Sequence, residues 1–264
     1  MMIPVRVLIC LLPLGLGAPP EPKEDARPPG ALRELVPGVL VGKGVVEFGG
    51  TVCADLSHPQ TPVVYLELLV TGPDSREHES LVLTRVRASA IHAGLLAAGF
   101  ESGHPVRFEG DRVAALPTGD RVSVAVRIQA EPDTGDDTAF VELASWAVRR
   151  DTGVRLDAAP GWGLVFAGSV LDGQAGAYAA DKTGTVIGLT GFGTEVIAAA
   201  WDLSPQADVD EPVWIVDKDR VPAFGTPVRI RITRAGSPAE PGDTGDAKTD
   251  NEPRGTGAAD EKAS

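Results

Sequence analysis

The chain has 264 residues and a formal net charge of −13, enough length for one large domain or two small ones with a real hydrophobic core. The acidic balance, with no Lys/Arg-rich block, counts against nucleic-acid binding, whose affinity comes mainly from cations neutralising phosphates. It counts equally against electrostatic docking on anionic lipid, and a cationic ligand or a metal ion suits the charge better. Gly (31) and Pro (22) are frequent and aromatics make up only 5%, which favours many short elements joined by turns over long helices.

Residues 1 to 18 are predicted to be an export signal. Arg6 supplies the basic start, and VLICLLPLGLG is an apolar run too short to span a bilayer comfortably. Cleavage near Ala18 leaves a periplasmic or extracellular protein with no integral membrane domain; the alternative is an uncleaved anchor, and the sequence leaves that choice open. Cys10 lies inside the apolar run, which continues past it, so lipidation is not expected. Cys53 is then the one remaining cysteine and forms no internal disulfide. Residues 19 to 36, Pro-rich and charged, are predicted to be a linker. Residues 236 to 264 hold almost no large apolar side chain. Such an acidic tail cannot bury enough surface to offset its ordering entropy and is predicted to be disordered.

Between these ends lie a first unit, residues 37 to 150, and a β-rich second unit, 151 to 235; the sequence leaves open whether the two pack as one domain. GVVEFGGTVCA is predicted to be a hairpin turning at Gly49-Gly50, and VVYLELLVT a strong strand. HESLVLTRV is another strand, with the LVL run suggesting burial on both faces. ASAIHAGLLAAGF is predicted to be a short amphipathic helix. Ser89 is its N-cap, Gly99 its stop, and Ile91, Leu95 and Ala98 its apolar stripe. RVSVAVRIQ alternates as a half-buried strand, and AFVELASWAV is assigned to strand although its pattern is ambiguous. WGLVFAGSV places Trp162, Leu164 and Phe166 on one face, and VPAFGTPVRIRITR ends in a final strand. The fold class expected is α+β, mostly antiparallel sheet with one short amphipathic helix packed on it.

The run DKTGT, from Asp181, spells the phosphorylation signature of P-type ion pumps. No phosphate-cradling glycine loop precedes it and no GDGxND segment follows. GAYAADKTGTVIGL is predicted instead to be two strands joined by a turn at Asp181 to Gly184.

Polar residues concentrate in REHESLVLTRVRASAIHAGLLAAG. If HESLVL is a strand, Glu79, Leu81 and Leu83 share a face, and a helix folded back onto that face draws His92 toward Glu79. A pair there serves either as a hydrogen bond pinning the crossover or as part of a metal or acid/base site with His78. Cys53 completes a set of zinc-compatible ligand types, although the tight spacings of zinc motifs are missing. The candidate transition-metal ligands are therefore His78, Glu79, His92 and Cys53. Trp162, Trp201 and Trp214 are read as core anchors in preference to a ligand groove. Asp208 to Pro212 is read as a solvated acidic loop, since the ligand spacing of a calcium loop is missing. His58 and His104 each precede Pro in loops, and no Gly-x-Ser-x-Gly elbow supports a serine hydrolase.

TVCADL, EHESLVL and IHAGLLAAGF, followed by WGLVFAGSV and YAADKTGTVIGL, resemble the YdjY-type domain family of bacterial envelope proteins, with planctomycete members the most similar. The resemblance covers most of residues 40 to 232, and the HES/helix block is its most specific part. It implies an exported domain without an assigned activity, and only a loose link to iron and electron transfer. Many relatives carry a second cysteine just before the HES segment, where this chain has ELLVTGP. That departure counts against dithiol, iron–sulfur or haem chemistry. The function expected is a non-enzymatic binding or structural module of the envelope, without a cofactor and with an unidentified envelope protein as partner. The alternative is a metal-binding or redox-accessory protein built on the His/Glu cluster.

Overall fold

The structure, a computed structural model, describes residues 31–57, 63–110, 112–129, 140–172, 176–201, 203–204, 206 and 210–236. The predicted signal with Cys10, residues 19 to 30 of the linker and residues 237 to 264 of the tail lie outside the described residues, as do His58 and Asp208.

In chain order, β1 (Arg33–Val36), β2 (Val39–Gly42) and β3 (Val45–Val52) form an antiparallel meander. Next come β4 (Leu68–Thr71), β5 (Ser80–Leu83), parallel to it, and α1 (Ala88–Ala97). A small pair follows, β6 (Arg107–Glu109) with β7 (Arg112–Ala115), then β8 (Arg121–Ile128), β9 (Val141–Glu142) and β10 (Ala147–Arg149). The chain continues with β11 (Leu164–Phe166), α2 (Ala179–Thr183), β12 (Thr185–Gly188) and β13 (Ile197–Ala199). It ends with β14 (Trp214–Val216), paired to β10, and β15 (Pro227–Arg234).

Eight strands close a ring in the order β3-β15-β8-β11-β13-β12-β4-β5, and β5 returns to β3 through Thr51 opposite Leu83 and Val52 opposite Val82. This overturns the α+β expectation of an open sheet carrying one helix: the molecule is predominantly β and its sheet closes into a barrel. Period-2 alternation is the same in an open sheet and in a barrel. What distinguishes them is one edge pairing, and no local pattern encodes it. Strands from 45 to 128 and from 164 to 234 contribute to the same ring.

The core follows from register. Ile230 stands opposite both Phe48 and Val126, and Ile232 opposite Val46 and Val124. All six side chains are buried, so three adjacent strands present continuous apolar rows. β8 shows the predicted alternation, with Val122, Val124 and Val126 inside. The helix forms where expected, with Ile91, Leu95 and Ala98 buried and Gly99 ending it at φ +92°. Gly94 lets α1 lie against Val39, Val41 and Val46 of the β2–β3 hairpin.

Several local expectations change. Gly49-Gly50 is not a turn but lies inside β3, because β3 must swap partners there from β2 to β5. A Cβ on Gly50 would stand 2.6 Å from a Val82 methyl and 3.1 Å from the Leu83 carbonyl oxygen. Gly50→Ala is therefore expected to destabilise by about 1–3 kcal/mol, read from the unfolding midpoint. An unchanged midpoint would mean that the closure point tolerates a methyl group. Glu77–Glu79 is a 3-10 turn, so strand begins only at Ser80. The ambiguous stretch after Phe140 holds two short strands separated by a 3-10 turn, Leu143–Trp146.

The DKTGT segment is not a hairpin but the short helix α2, ended by Gly184 at φ +72°. Asp181 accepts hydrogen bonds from Ser89 through its backbone N–H (2.8 Å) and its hydroxyl (2.6 Å). Ser89 is thus not an N-cap. It sits inside the first turn of α1, and a carboxylate 92 residues away satisfies its N–H.

Candidate functional site

β3 leaves the barrel at Val52 and runs on through Cys53 to Asp55, and a cleft of about 690 Å³ opens beside it. Its other walls are Val63 to Tyr65, the 3-10 turn Glu77–Glu79, and Phe224. Cys53 is held at the floor. Its N–H donates to the Leu81 carbonyl at 3.0 Å, and its thiol to the Ser80 carbonyl at 3.4 Å. Burial, reinforced by the Glu77 carboxylate, pushes the thiol up to about 12, so it stays protonated at neutral pH. Phe224 is 62% exposed and Val63 39%, an apolar rim beside Asp55, Glu77 and Glu79.

Behind the rim, two carboxylates share one guanidinium. Arg76 Nη1 lies 2.5 Å from Glu67 Oε2 and 3.5 Å from Glu79 Oε2, and its head stacks over Phe192 at 4.6 Å. Burial first, then the hydrogen bond and charge of Glu79, push Glu67 up to about 7, against the pull of Arg76. Carboxyl-carbon NMR is expected to place the Glu67 midpoint near 7 in the native protein. In Glu79→Gln the midpoint is expected to fall without reaching the ordinary 4.5, because burial remains. A midpoint that ignores the substitution would show that the two carboxylates do not share a proton.

The predicted ligands divide between two places. Cys53, His78 and Glu79 line the cleft, with His78 Nε2 at 3.8 Å from Glu79 Oε2. His92 lies elsewhere. Its Nδ1 is 2.7 Å from the Tyr178 hydroxyl, which donates to the Gly168 carbonyl at 3.0 Å. That donation assigns the Nδ1 proton to His92. Its ring also meets the edge of Phe166 at 5.0 Å, and burial holds its pKa below the usual histidine value. The expected Glu79–His92 contact is not formed. Glu79 sits in a 3-10 turn instead of alternating along β5, and His92 faces Tyr178 at the start of α2. Among the described residues no group of three or more His, Cys, Asp or Glu is arranged to hold a metal ion.

Trp162, Trp201 and Trp214 form a ladder, with ring centroids 5.2 and 5.8 Å apart, and Trp201 Nε1 donates to the Leu189 carbonyl at 2.9 Å. Trp214 is buried and the other two pack against the core, as anchors do. Sequence reasoning missed Glu67, Arg76, Glu77 and Phe224. The available signal was Glu67 itself, a charge set in the apolar run VVYLELLVT. Among the described residues no helix is long and apolar enough to cross a membrane.

No curated protein and no solved structure matches the chain. A family model of the YdjY domain matches residues 41–233, which takes in the barrel, the cleft and the His92–Tyr178 contact. On that match, the chain belongs to the YdjY domain family.

Proposed function

We propose that this protein is an exported, non-enzymatic binding module of the cell envelope, and that the cleft beside Cys53 receives a partner segment carrying both cationic and apolar side chains. The observation that carries this reading is the pairing of Asp55, Glu77 and Glu79 with the exposed Phe224 and Val63 around one concavity. Concave sites with apolar walls and a few placed polar groups are the usual geometry of recognition. The charge of −13 favours encounter with a cation. Two further points support binding over catalysis: Cys53 is a buried, protonated thiol, and His92 is held by Tyr178.

The test is a titration of the isotope-labelled full chain with two short peptides, one of lysines and a tryptophan and one of glutamates and a tryptophan. The basic peptide is expected to shift resonances of Tyr65, His78 and Phe224. Salt, and a Glu77→Gln/Glu79→Gln double variant, should weaken the effect. Equal shifts with both peptides, or none with either, would overturn the reading.

A further inference from the structure

A second concavity, of about 670 Å³, opens where β3 changes partners. The β1–β2 hairpin and β5 diverge on either side of Gly49 and Gly50, leaving a notch that Thr51, Val36, Val86 and the start of α1 enclose. Its lining holds two arginines and no acidic residue. Arg85 and Arg87 flank Val86, a bend in the connection from β5 to α1, and both line the notch.

Both arginines are exposed, and among the described residues neither guanidinium makes an ion pair or a hydrogen bond. Arg76, Arg149, Arg155, Arg220, Arg231 and Arg234, by contrast, each hold a carboxylate. The Thr51 hydroxyl, on a residue that also lines the notch, likewise has no partner among the described residues. Nothing lies within 4 Å of where a Cβ on Gly49 would stand, so the floor is open. The first turn of α1 adds little, because Asp181 already takes the Ser89 N–H.

We propose that this notch binds a phosphomonoester, gripped by Arg85 and Arg87 with Thr51 donating and with the body of the ligand against Val36 and Val86. Guanidinium forks match phosphate oxygens bidentately. Two adjacent cations answer a group carrying a charge of roughly −1.5 to −2 at neutral pH better than a single carboxylate. The volume is within the range of about 300–1,000 Å³ typical of ligand pockets. The site is separate from the cleft of the preceding section and does not depend on that reading.

Calorimetric titration of the full chain with glycerol phosphate is the first arm, and flotation with vesicles containing phosphatidate is the second. Binding in the first arm identifies a soluble source, and binding in the second alone a lipid headgroup. Either way Arg85→Gln and Arg87→Gln are each expected to weaken binding roughly tenfold. Arg85→Lys should recover only part of it, since the charge remains and the fork does not. Gly49→Val is expected to block the notch while leaving both arginines in place. All these positions are exposed or open, and an unchanged thermal midpoint checks that each variant folds. No binding in either arm, or binding that survives Arg85→Gln, Arg87→Gln and Gly49→Val, would overturn the proposal.

Discussion

Glu47→Ala is expected to lower stability by about 3–5 kcal/mol. Glu47 is only 3% exposed, yet it lies on β3 among residues paired to β15, with Arg231 directly across. Arg231 Nε donates to Glu47 Oε1 at 2.6 Å, and the Arg231 and Arg127 heads both lie over the Phe140 ring, at 4.1 and 4.9 Å. Three strands, β3, β15 and β8, are thus joined across one face by a carboxylate, two guanidiniums and a ring. Deleting the carboxylate removes the buried acceptor of Arg231 Nε, which costs more than the pair itself contributes. Removing both charges together, as Glu47→Leu with Arg231→Met, is expected to cost far less. Urea unfolding of the single and double variants checks this. A small loss in Glu47→Ala would mean that solvent reaches Arg231 and relieves it.

A pH-dependent change is expected at Glu195. It is fully buried in the loop between β12 and β13. One carboxyl oxygen accepts the N–H groups of Phe192 and Gly193, the latter at 3.2 Å, while the other has no partner among the described residues. Burial pushes its pKa above the ordinary 4.5, opposed by the surrounding amides, those of Phe192, Glu195, Gly193 and Thr194. The sign follows from linkage. The native state holds this proton more tightly than the unfolded chain, so the stabilisation is complete below the unfolded value. It falls as pH rises from about 4.5 toward the native value, and levels off above that.

Glu195→Gln keeps the oxygen that the loop amides need and has no proton to lose. Its stability relative to the native protein should therefore increase with pH across that window. Denaturant unfolding of both proteins over a pH series measures the difference, and a difference that does not change with pH would rule the account out. Glu195→Ala removes the acceptor altogether. It is expected to cost about 1–3 kcal/mol for each loop N–H left without a partner.

These two residues also show why parts of the molecule were hard to read in advance. Glu47 alternates with Val46 and Phe48 like any outward-facing strand residue, and nothing within VVEFGG says that Arg231 will cover it. The hairpin assigned to Gly49-Gly50 fails for a related reason. Two glycines are a good turn signal, but they are equally what a strand needs where another backbone approaches closely. That approach comes from Val82 and Leu83, more than thirty positions on. The DKTGT segment was expected to be a turn between two strands and is the helix α2. Its helix was missed because Gly184 ends a helix as readily as it closes a turn, and Tyr178 and Asp181 are fixed by contacts to Gly168 and Ser89.

Cys53, His78 and Glu79 line one cleft, as a grouping of ligand-type residues suggested, but His92 does not join them. That choice depended on whether Glu79 lies on a strand or in a 3-10 turn. The difference is a matter of one hydrogen bond, Glu79 N–H to the Arg76 carbonyl at 3.1 Å.

What the sequence determined by itself was everything set by short-range periodicity and backbone preference. It placed the alternating strands β8 and β15, the buried stripe of α1 with its glycine stop, and the family. Each of these depends on neighbours within about one turn or one strand, where side-chain spacing alone decides which face is apolar. The tertiary structure alone decided that the sheet closes, that Arg76 holds two carboxylates, that Asp181 reaches Ser89, and that Arg85 and Arg87 stand over an open glycine floor. Those outcomes depend on which distant edges pair and which buried charges meet. They come from the free energy of closing the whole barrel, to which no single segment holds the answer.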